Sequence, residues 1–237
     1  IFRVCYGVDT KKFFPSDNQS DRLREKWGIP EQAPVAGIVS RIRVSRGHDW
    51  LLAALEKALP KIPNAYFVIC GRGSWKDEML AHLEKHPYRS RIIYAGYVRG
   101  QDLEDAYRCF DASLVLRPGN DGACRAALES MSSGTPVITG EVDAIREIIR
   151  HTGSGWIVPD NDCEELAEAL TSALSSRDNC RELGKIARQY ILDNHDETLL
   201  GPPRLAFYRE LLGRQGQPEA RPDRESRQSS GTIAVSD

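Results

Sequence analysis

The chain has 237 residues, of which 41% are apolar and 28% charged, and its formal net charge is −2. This composition is typical of a soluble globular protein with one large domain or two small ones. The near-zero net charge argues against nucleic acid as a partner. No apolar run approaches the roughly 18 residues that a membrane-spanning helix needs.

The six cysteines are scattered along the sequence and form no Cys-x-x-Cys pair. We interpret them as reduced thiols that pack as small apolar side chains in a cytoplasmic protein. His82 and His86 lie four residues apart on a predicted helix, a spacing that can hold zinc. Because no third ligand is near them in the sequence, we predict no metal site and interpret this pair as part of a solvated helix face.

Residues 1–34 have little periodicity, and we interpret them as an interdomain linker. From residue 35 onward, short β-rich runs alternate with helical stretches. Strands are predicted at 35–40, 65–70, 91–95, 112–116, 136–139 and 155–158. Helices are predicted between them at 48–59, 75–86, 101–109, 122–133 and 144–150. This alternation predicts a doubly wound α/β fold, in which helices cover both faces of a parallel, six-stranded, Rossmann-like sheet.

Helical patterns continue after the sixth strand, at 163–175, 179–193 and 199–213. We therefore predict one domain over residues 35–213 that ends in C-terminal helices. Residues 214–237 are polar and mixed in charge, with little apolar content, and this composition predicts a disordered tail.

The predicted topology brings two charged loops to one crevice. In doubly wound sheets a ligand binds beyond the carboxyl ends of the strands where the strand order reverses, which in the usual order lies between the first and fourth strands. The loop after the first strand carries Arg41 and Arg46, and the loop after the fourth leads to Asp121 at the start of a helix. Guanidinium groups and the free N–H groups of a helix N-terminus both bind phosphate. The sequence therefore predicts a phosphate site between them.

Two acids, Asp121 and Glu129, lie at the start and further along the predicted helix that follows the fourth strand. Eight helical positions span about 12 Å, at about 1.5 Å per residue. Carboxylates at that distance can bind hydroxyl groups at the two ends of a ligand whose phosphates lie between them, and a sugar joined through a pyrophosphate to a nucleoside has this shape. The alternatives are a helix N-cap for Asp121 and a surface charge for Glu129.

Together these segments resemble the retaining glycosyltransferases of family 4, the group 1 glycosyltransferases with a GT-B fold. The resemblance covers roughly residues 7–213, and its motifs are specific as a set. They are GIVSR (37–41), RGH (46–48), FVICGRG (67–73), GYV (96–98), DGACRAALESMSSGTPVI (121–138) and GWIVP (155–159). The chain then resembles the C-terminal, donor-binding domain of such an enzyme, one half of the GT-B fold.

The resemblance implies a catalytic set of three residues. Arg41 and Arg46 would hold the pyrophosphate of a nucleotide sugar, and Asp121 would bind hydroxyl groups of the transferred sugar. Arg46 stands where lysine is usual in the family, and Asp121 stands where glutamate is common. The two arginines would replace a metal ion in stabilising the departing diphosphate.

The remaining positions would bind the donor without taking part in the chemistry. Gly122 and Ala123 would offer backbone N–H groups to sugar or phosphate oxygens, and Glu129 would bind the ribose hydroxyl groups. Gly71 belongs to the glycine turn after the second strand. The segment of Tyr97, Val98 and Arg99 would border the base.

The resemblance implies an enzyme that moves a hexosyl group from a UDP- or GDP-linked sugar to an acceptor, with retention of configuration and without a metal or other cofactor. We expect that the N-terminal, acceptor-binding domain is missing from this chain, so that the fragment alone would transfer little or nothing. Any peripheral membrane association would arise only through that missing half.

Two other functions stay open. One is a nucleotide-sugar 2-epimerase-like enzyme of the same fold group, which the arginine loop and the pair of acids fit less well. The other is a catalytically inactive domain that binds a nucleotide or a partner. NAD is not expected, because the glycine turn after the second strand lacks the third glycine of a dinucleotide fingerprint.

Overall fold

The fold is described from a computed structural model of the chain. The structure describes residues 6–16, 21–117, 124–141 and 144–215. The chain divides into two compact units, Ile1–Gly201 and Pro202–Asp237. Within the described residues, no helix is both long and apolar enough to span a bilayer.

Six short strands form one sheet in the first unit. The strands are β1 (Val35–Val39), β2 (Tyr66–Cys70), β3 (Ile92–Gly96), β4 (Ala112–Val115), β5 (Val137–Gly140) and β6 (Gly155–Val158). Their order across the sheet is β3-β2-β1-β4-β5-β6. Every neighbouring pair is parallel. The predicted doubly wound, Rossmann-like α/β fold is therefore confirmed, and its strand order reverses between β1 and β4.

Helices follow the strands and continue after the sheet. Before the sheet lies α1 (Asp21–Lys26), and around it lie α2 (His48–Ala58), α3 (Lys76–Lys85), α4 (Gln101–Cys109), α5 (Arg125–Ser132) and α6 (Ala144–Thr152). After the sheet come α7 (Cys163–Ser175), α8 (Arg177–Asn194) and α9 (Glu197–Gln215). Short 3₁₀ turns occur at Val44–Arg46 and Arg89–Arg91. The predicted C-terminal helices are thus present, and α8 begins two residues before its predicted start.

The two faces of the sheet bury separate apolar clusters, because side chains alternate along each strand. In β2, Phe67 and Ile69 belong to the cluster that includes residues of α2 and α7. Val68 and Cys70, between and after them, belong to the cluster that includes residues of α5 and α8. Helices on both faces leave the carboxyl ends of the central strands as the open edge.

The segment 1–34, interpreted as a linker, contains α1 and contributes to the core. Val8, Phe13 and Leu23 are buried in the same cluster as the inner face of α5. The buried guanidinium of Arg24 donates hydrogen bonds to the carbonyl oxygens of Ala33 and Cys109, at 2.8 and 3.1 Å. Whether this segment links two domains stays a prediction, but its described part packs against the sheet domain.

The predicted disordered tail begins at residue 214, whereas α9 extends to Gln215. Residues 216–237 lie outside the described residues, so the predicted disorder stays a prediction. In the second unit, the apolar side chains that α9 leaves exposed are Leu205, Tyr208, Leu211 and Leu212.

Candidate functional site

Two adjoining cavities open along the carboxyl ends of four neighbouring strands, β3, β2, β1 and β4. The β1–β4 cavity, of about 140 Å³, is lined by Ile38, Val39, Ser40, Arg41, Arg46, Leu114, Val115, Leu116, Arg117, Cys124, Arg125 and Ala126. The β2–β3 cavity, of about 250 Å³, is lined by Val39, Ser40, Arg41, Cys70, Gly71, Arg72, Tyr97 and Val98. Because they share three residues at the end of β1, we treat them as one switch-point groove.

The backbones of two loops touch at the centre of the groove, and Gly71 makes this contact possible. An ideal Cβ at this position would lie 1.9 Å from the carbonyl oxygen of Ser40, and φ is 152°. The N–H of Gly71 donates to the carbonyl of Gly96 at 2.7 Å, and the N–H of Ser40 donates to the carbonyl of Cys70 at 3.1 Å. Only glycine fits there without moving the loop after β1.

The loop after β1 is folded around the buried side chain of His48. Its Nδ1 lies 3.1 Å from the carbonyl oxygen of Arg43, to which it donates as a neutral ring. Its Nε2 lies 3.2 Å from Oγ of Ser40 and then accepts from that hydroxyl. Burial lowers the pKa of His48, which favours the neutral form. This pinned loop brings Arg41 and Arg46 to the same cavity.

Four arginine residues line the β1–β4 cavity: Arg117, Arg125, Arg41 and Arg46. Arg117 has a carboxylate partner, with Nε 3.7 Å from Asp160. Arg125 also has one, with Nε 2.8 Å from Oε1 of Glu129. In the described part of the chain, Arg41 and Arg46 form no ion pair. Among the described residues, the charges of Arg41 and Arg46 are therefore uncompensated, which suits an anionic ligand.

Arg41 is exposed and Arg46 is partly buried. Nη1 of Arg46 donates to the carbonyl oxygen of Arg117 at 3.3 Å, so the arginine loop contacts the chain that leaves β4. The structure thus brings both predicted phosphate ligands to the point where the strand order reverses. Their role in catalysis stays a prediction.

The helix start beyond β4 is described only in part. Asp121, Gly122 and Ala123, predicted as sugar and phosphate ligands, lie outside the described residues, so their roles stay predictions. The predicted helix at 122–133 is described from Arg125, and Cys124 before it has φ 28° and ψ 77°. This conformation is not helical, so α5 begins at Arg125, and Cys124, Arg125 and Ala126 line the β1–β4 cavity.

Glu129 lies on α5 with only 6% of its surface exposed. Oε1 accepts from Nε of Arg125 at 2.8 Å, and Oε2 accepts from the hydroxyl of Tyr107 at 3.3 Å. Burial raises the pKa of Glu129, and Arg125 opposes that rise. Glu129 is not among the residues that line the groove, and its predicted contact with a ribose stays a prediction.

The predicted base-binding turn follows β3. Tyr97 and Val98 line the β2–β3 cavity together with Gly71. Arg99 is not among the residues that line it. The guanidinium of Arg72 lies 4.4 Å from the centre of the Tyr97 ring, and this ring is 58% exposed. An exposed aromatic ring beside a guanidinium plane offers a flat surface on which a base can stack.

Sequence reasoning missed four residues of the groove region. Arg72 lies inside the glycine turn, and Arg117 and Arg125 flank the segment of Asp121. For these three arginines, a positive charge next to a recognised motif was the sequence signal that could have indicated a place in the groove. Ser40 gave no signal, because its position depends on His48, which is buried.

The pair His82 and His86, interpreted as part of a solvated helix face, is only partly solvated. No group of three or more potential metal ligands occurs among the residues that are described. His86 is buried rather than solvated, with Nε2 3.2 Å from the carbonyl oxygen of Leu52 and Nδ1 3.1 Å from the N–H of Tyr88. The His82 ring lies 5.8 Å from that of Trp75.

Comparison with known proteins assigns the fold and groove to a family. The family model described as "Glycosyl transferases group 1" matches residues 19–190. The chain belongs to the group 1 glycosyltransferases. Both the arginine loop and the segment of Glu129 lie inside the matched range, so this family membership includes the groove.

Two relatives of this glycosyltransferase chain are 25% and 30% identical to it over the aligned residues. An uncharacterized glycosyltransferase of Methanocaldococcus jannaschii is 30% identical over 163 residues, which cover 67% of this chain and 41% of that protein. A GDP-mannose-dependent alpha-(1-6)-phosphatidylinositol monomannoside mannosyltransferase of Mycolicibacterium smegmatis is 25% identical over 221 residues, which cover 91% of this chain and 56% of that protein. The chain thus spans about half the length of these curated relatives.

Among solved structures, Anabaena HepE in complex with UDP-glucose superposes with a TM-score of 0.76. The match has 17% sequence identity and covers 86% of this chain and 56% of that chain. At this identity the likeness establishes the fold, a Rossmann-like domain of a GT-B glycosyltransferase.

Proposed function

We propose that this group 1 glycosyltransferase chain binds the nucleotide-sugar donor of a hexosyltransferase that retains anomeric configuration and needs no metal. The observation that carries the proposal is the pair Arg41 and Arg46, two guanidinium groups on one cavity without ion-pair partners among the described residues. Two permanent positive charges match the two negative charges of a sugar-linked diphosphate.

The groove has room for the rest of the donor on either side of that diphosphate. The β2–β3 cavity, with Gly71 and the ring of Tyr97, would take the base. The start of α5 would take the sugar and ribose, through Asp121, the backbone of Gly122 and Ala123, and Glu129. Two relatives support this class of ligand, one described as GDP-mannose-dependent and one solved with UDP-glucose.

The proposed chemistry is electrostatic stabilisation of the leaving group. When the bond from the anomeric carbon to the diphosphate oxygen breaks, negative charge grows on the diphosphate. The guanidinium groups of Arg41 and Arg46 would stabilise that charge as a metal ion otherwise would. The retained configuration and the acceptor belong to the whole enzyme, whose second, acceptor-binding domain is part of this proposal.

A cytoplasmic location belongs to the same proposal. Nucleotide sugars would be its soluble substrates, and four of the described cysteines are free thiols: Cys70, Cys109, Cys163 and Cys180. Three of these are buried, and burial raises the pKa of Cys109 to about 12, so this thiol stays protonated and unreactive.

Isothermal titration calorimetry with UDP-glucose and GDP-mannose tests donor binding. We expect Arg41→Ala and Arg46→Ala each to weaken binding about 10-fold or more, because each removes charge-assisted hydrogen bonds. Arg181→Ala is the matched control, since Arg181 is exposed, pairs with Asp178 three residues earlier on α8 and does not line the groove.

Two results would contradict the proposal. One is the absence of heat with every nucleotide sugar at millimolar concentration, which favours the inactive or partner-binding alternative. The other is an equal effect of the Arg41, Arg46 and Arg181 variants. Epimerised sugar recovered after incubation with the donor would favour the epimerase alternative instead.

A further inference from the structure

Arg125 has an unusual position for a residue that forms an ion pair with a buried acid. It is the first residue of α5 and lines the β1–β4 cavity together with Arg41 and Arg46. Its side chain is 76% exposed, whereas the side chain of Glu129, its partner, is 8% exposed. The ion pair therefore extends from the protein interior to the surface of the cavity.

The guanidinium of Arg125 is only partly used by this pair. A guanidinium has five N–H donors on three nitrogens. Nε donates to Oε1 of Glu129 at 2.8 Å. Within the residues that the structure describes, neither Nη1 nor Nη2 has a hydrogen-bond partner. The planar group thus has donors free on the side that is not committed to Glu129.

Arg117, the other ion-paired arginine of the cavity, differs in this respect. Its Nη2 donates to Oδ1 of Asn161, and its Nε faces Asp160 at 3.7 Å. Both ends of that guanidinium face polar groups of the loop after β6, and its side chain is only 23% exposed. Of the two paired arginines, Arg125 is the more exposed, and both of its Nη groups lack a hydrogen-bond partner among the described residues.

The geometry points to Arg125 as a bridging ligand of the donor: its Nε holds the carboxylate of Glu129, while its Nη groups bind a phosphate oxygen of the nucleotide. This inference rests on the proposed function and adds a third phosphate-binding guanidinium to Arg41 and Arg46. It also couples two parts of the donor, because one side chain would touch the diphosphate and orient the acid proposed to bind the ribose.

The bridge requires the fork shape of arginine. A lysine ammonium is a compact point charge that can neutralise Glu129 or meet a phosphate, but it does not present two parallel edges. A leucine is shorter, keeps part of the apolar stem over α5 and removes every donor. Arg125→Lys and Arg125→Leu therefore separate the charge of Arg125 from its geometry.

Two probes are used, and their affinities are measured by calorimetry at low salt. One is inorganic pyrophosphate, and the other is UDP or GDP, whichever of these two nucleotides the wild-type chain binds more tightly. Pyrophosphate contains no ribose, so it reports the phosphate contact alone. We expect Arg125→Leu to weaken pyrophosphate binding about 10-fold, the usual loss for one charge-assisted contact. Glu129→Gln should leave pyrophosphate binding intact and weaken the nucleotide. Arg125→Lys should retain pyrophosphate binding within about threefold but weaken the nucleotide like Glu129→Gln.

Arg181→Leu serves as the control for loss of a surface arginine, and the thermal unfolding midpoint of each variant checks that it is folded. If Arg125→Leu binds pyrophosphate as tightly as Arg181→Leu does, Arg125 only positions Glu129 and the bridge is wrong. If the wild-type chain binds neither UDP nor GDP, the proposed function itself fails, and this outcome is distinct from the first.

Discussion

At the scale of single residues, Glu129 is a buried acid that forms an ion pair with an exposed arginine. Its carboxylate is desolvated, and its two oxygens accept hydrogen bonds from Arg125 and Tyr107. A buried acid whose charge is only partly compensated binds its proton more tightly in the folded than in the unfolded chain. The stability of the domain should therefore depend on the protonation of this one side chain.

The sign of that dependence can be stated. Because burial raises the pKa of Glu129 in the folded chain, the folded chain binds more protons above the ordinary glutamate pKa of about 4.3. The contribution of Glu129 to stability is then fully present below that pKa and lost as pH rises through the higher folded value. Glu129→Gln, which cannot ionise, removes this loss.

We therefore expect the free energy of unfolding of Glu129→Gln, relative to wild type, to increase as pH rises from about 4.3 towards neutrality. Urea denaturation of both proteins across this range measures the difference. The opposite effect of buried His48, whose pKa is lowered, is common to both proteins and cancels. A difference that is constant with pH would contradict the raised pKa of Glu129.

The sequence was sufficient to predict that Arg41 and Arg46 lie where the strand order reverses. This position follows from the topology, because the loops after parallel strands lie at the same edge of the sheet. The partners of Glu129 could not be predicted in this way. Tyr107 reaches it from α4, and whether an acid on α5 faces the interior or the groove depends on side-chain packing. Arg125, four residues before Glu129, has the spacing of a helical ion pair, which allows the contact but does not reveal its burial.

At the scale of elements, the groove depends on how closely the ends of β1 and β2 approach each other. Gly71 is in van der Waals contact with the backbone of Ser40, which belongs to the loop that carries Arg41. Gly73 has a similar contact, because a Cβ there would lie 2.0 Å from the carbonyl oxygen of Ile42. The glycine turn after β2 thus positions the arginine loop after β1.

Gly71→Ala should destabilise the domain by about 2 kcal/mol or more, since the new methyl group meets backbone and not a flexible side chain. Gly153→Ala is the matched control: Gly153 also has a positive φ, of 66°, but no atom lies within 4 Å of a Cβ there. The control should lose only about 1–2 kcal/mol, the cost of the left-handed conformation. Chemical denaturation measures both, and equal losses would contradict steric contact as the cause.

Elements with strong periodicity were predictable, and weak or interrupted ones were not. The six strands lie within one or two residues of their predicted bounds because each is an apolar run between turns. The helix α1 has six residues, and its buried residues Leu23 and Arg24 do not form a periodic pattern. Its position became evident only from tertiary packing, in which Phe13 and Leu23 join the core beneath the sheet.

At the scale of the whole molecule, the chain carries the switch-point groove at one edge of its sheet. It spans 41% of the Methanocaldococcus jannaschii relative and 56% of the mycobacterial one. In the part of the chain that the structure describes, the open edge at the carboxyl ends of the strands carries two arginines without ion-pair partners and an exposed aromatic ring, features that suit a nucleotide more than a second packing layer. We therefore expect a diphosphate to bind at this edge.

A crystal structure of the chain with UDP-glucose or GDP-mannose, whichever binds in calorimetry, tests this claim most directly. We expect the diphosphate to lie in the β1–β4 cavity, within hydrogen-bond distance of the guanidinium groups of Arg41 and Arg46. We expect the base to lie in the β2–β3 cavity beside Tyr97. A nucleotide bound elsewhere on the chain, or one whose phosphates touch neither arginine, would contradict it.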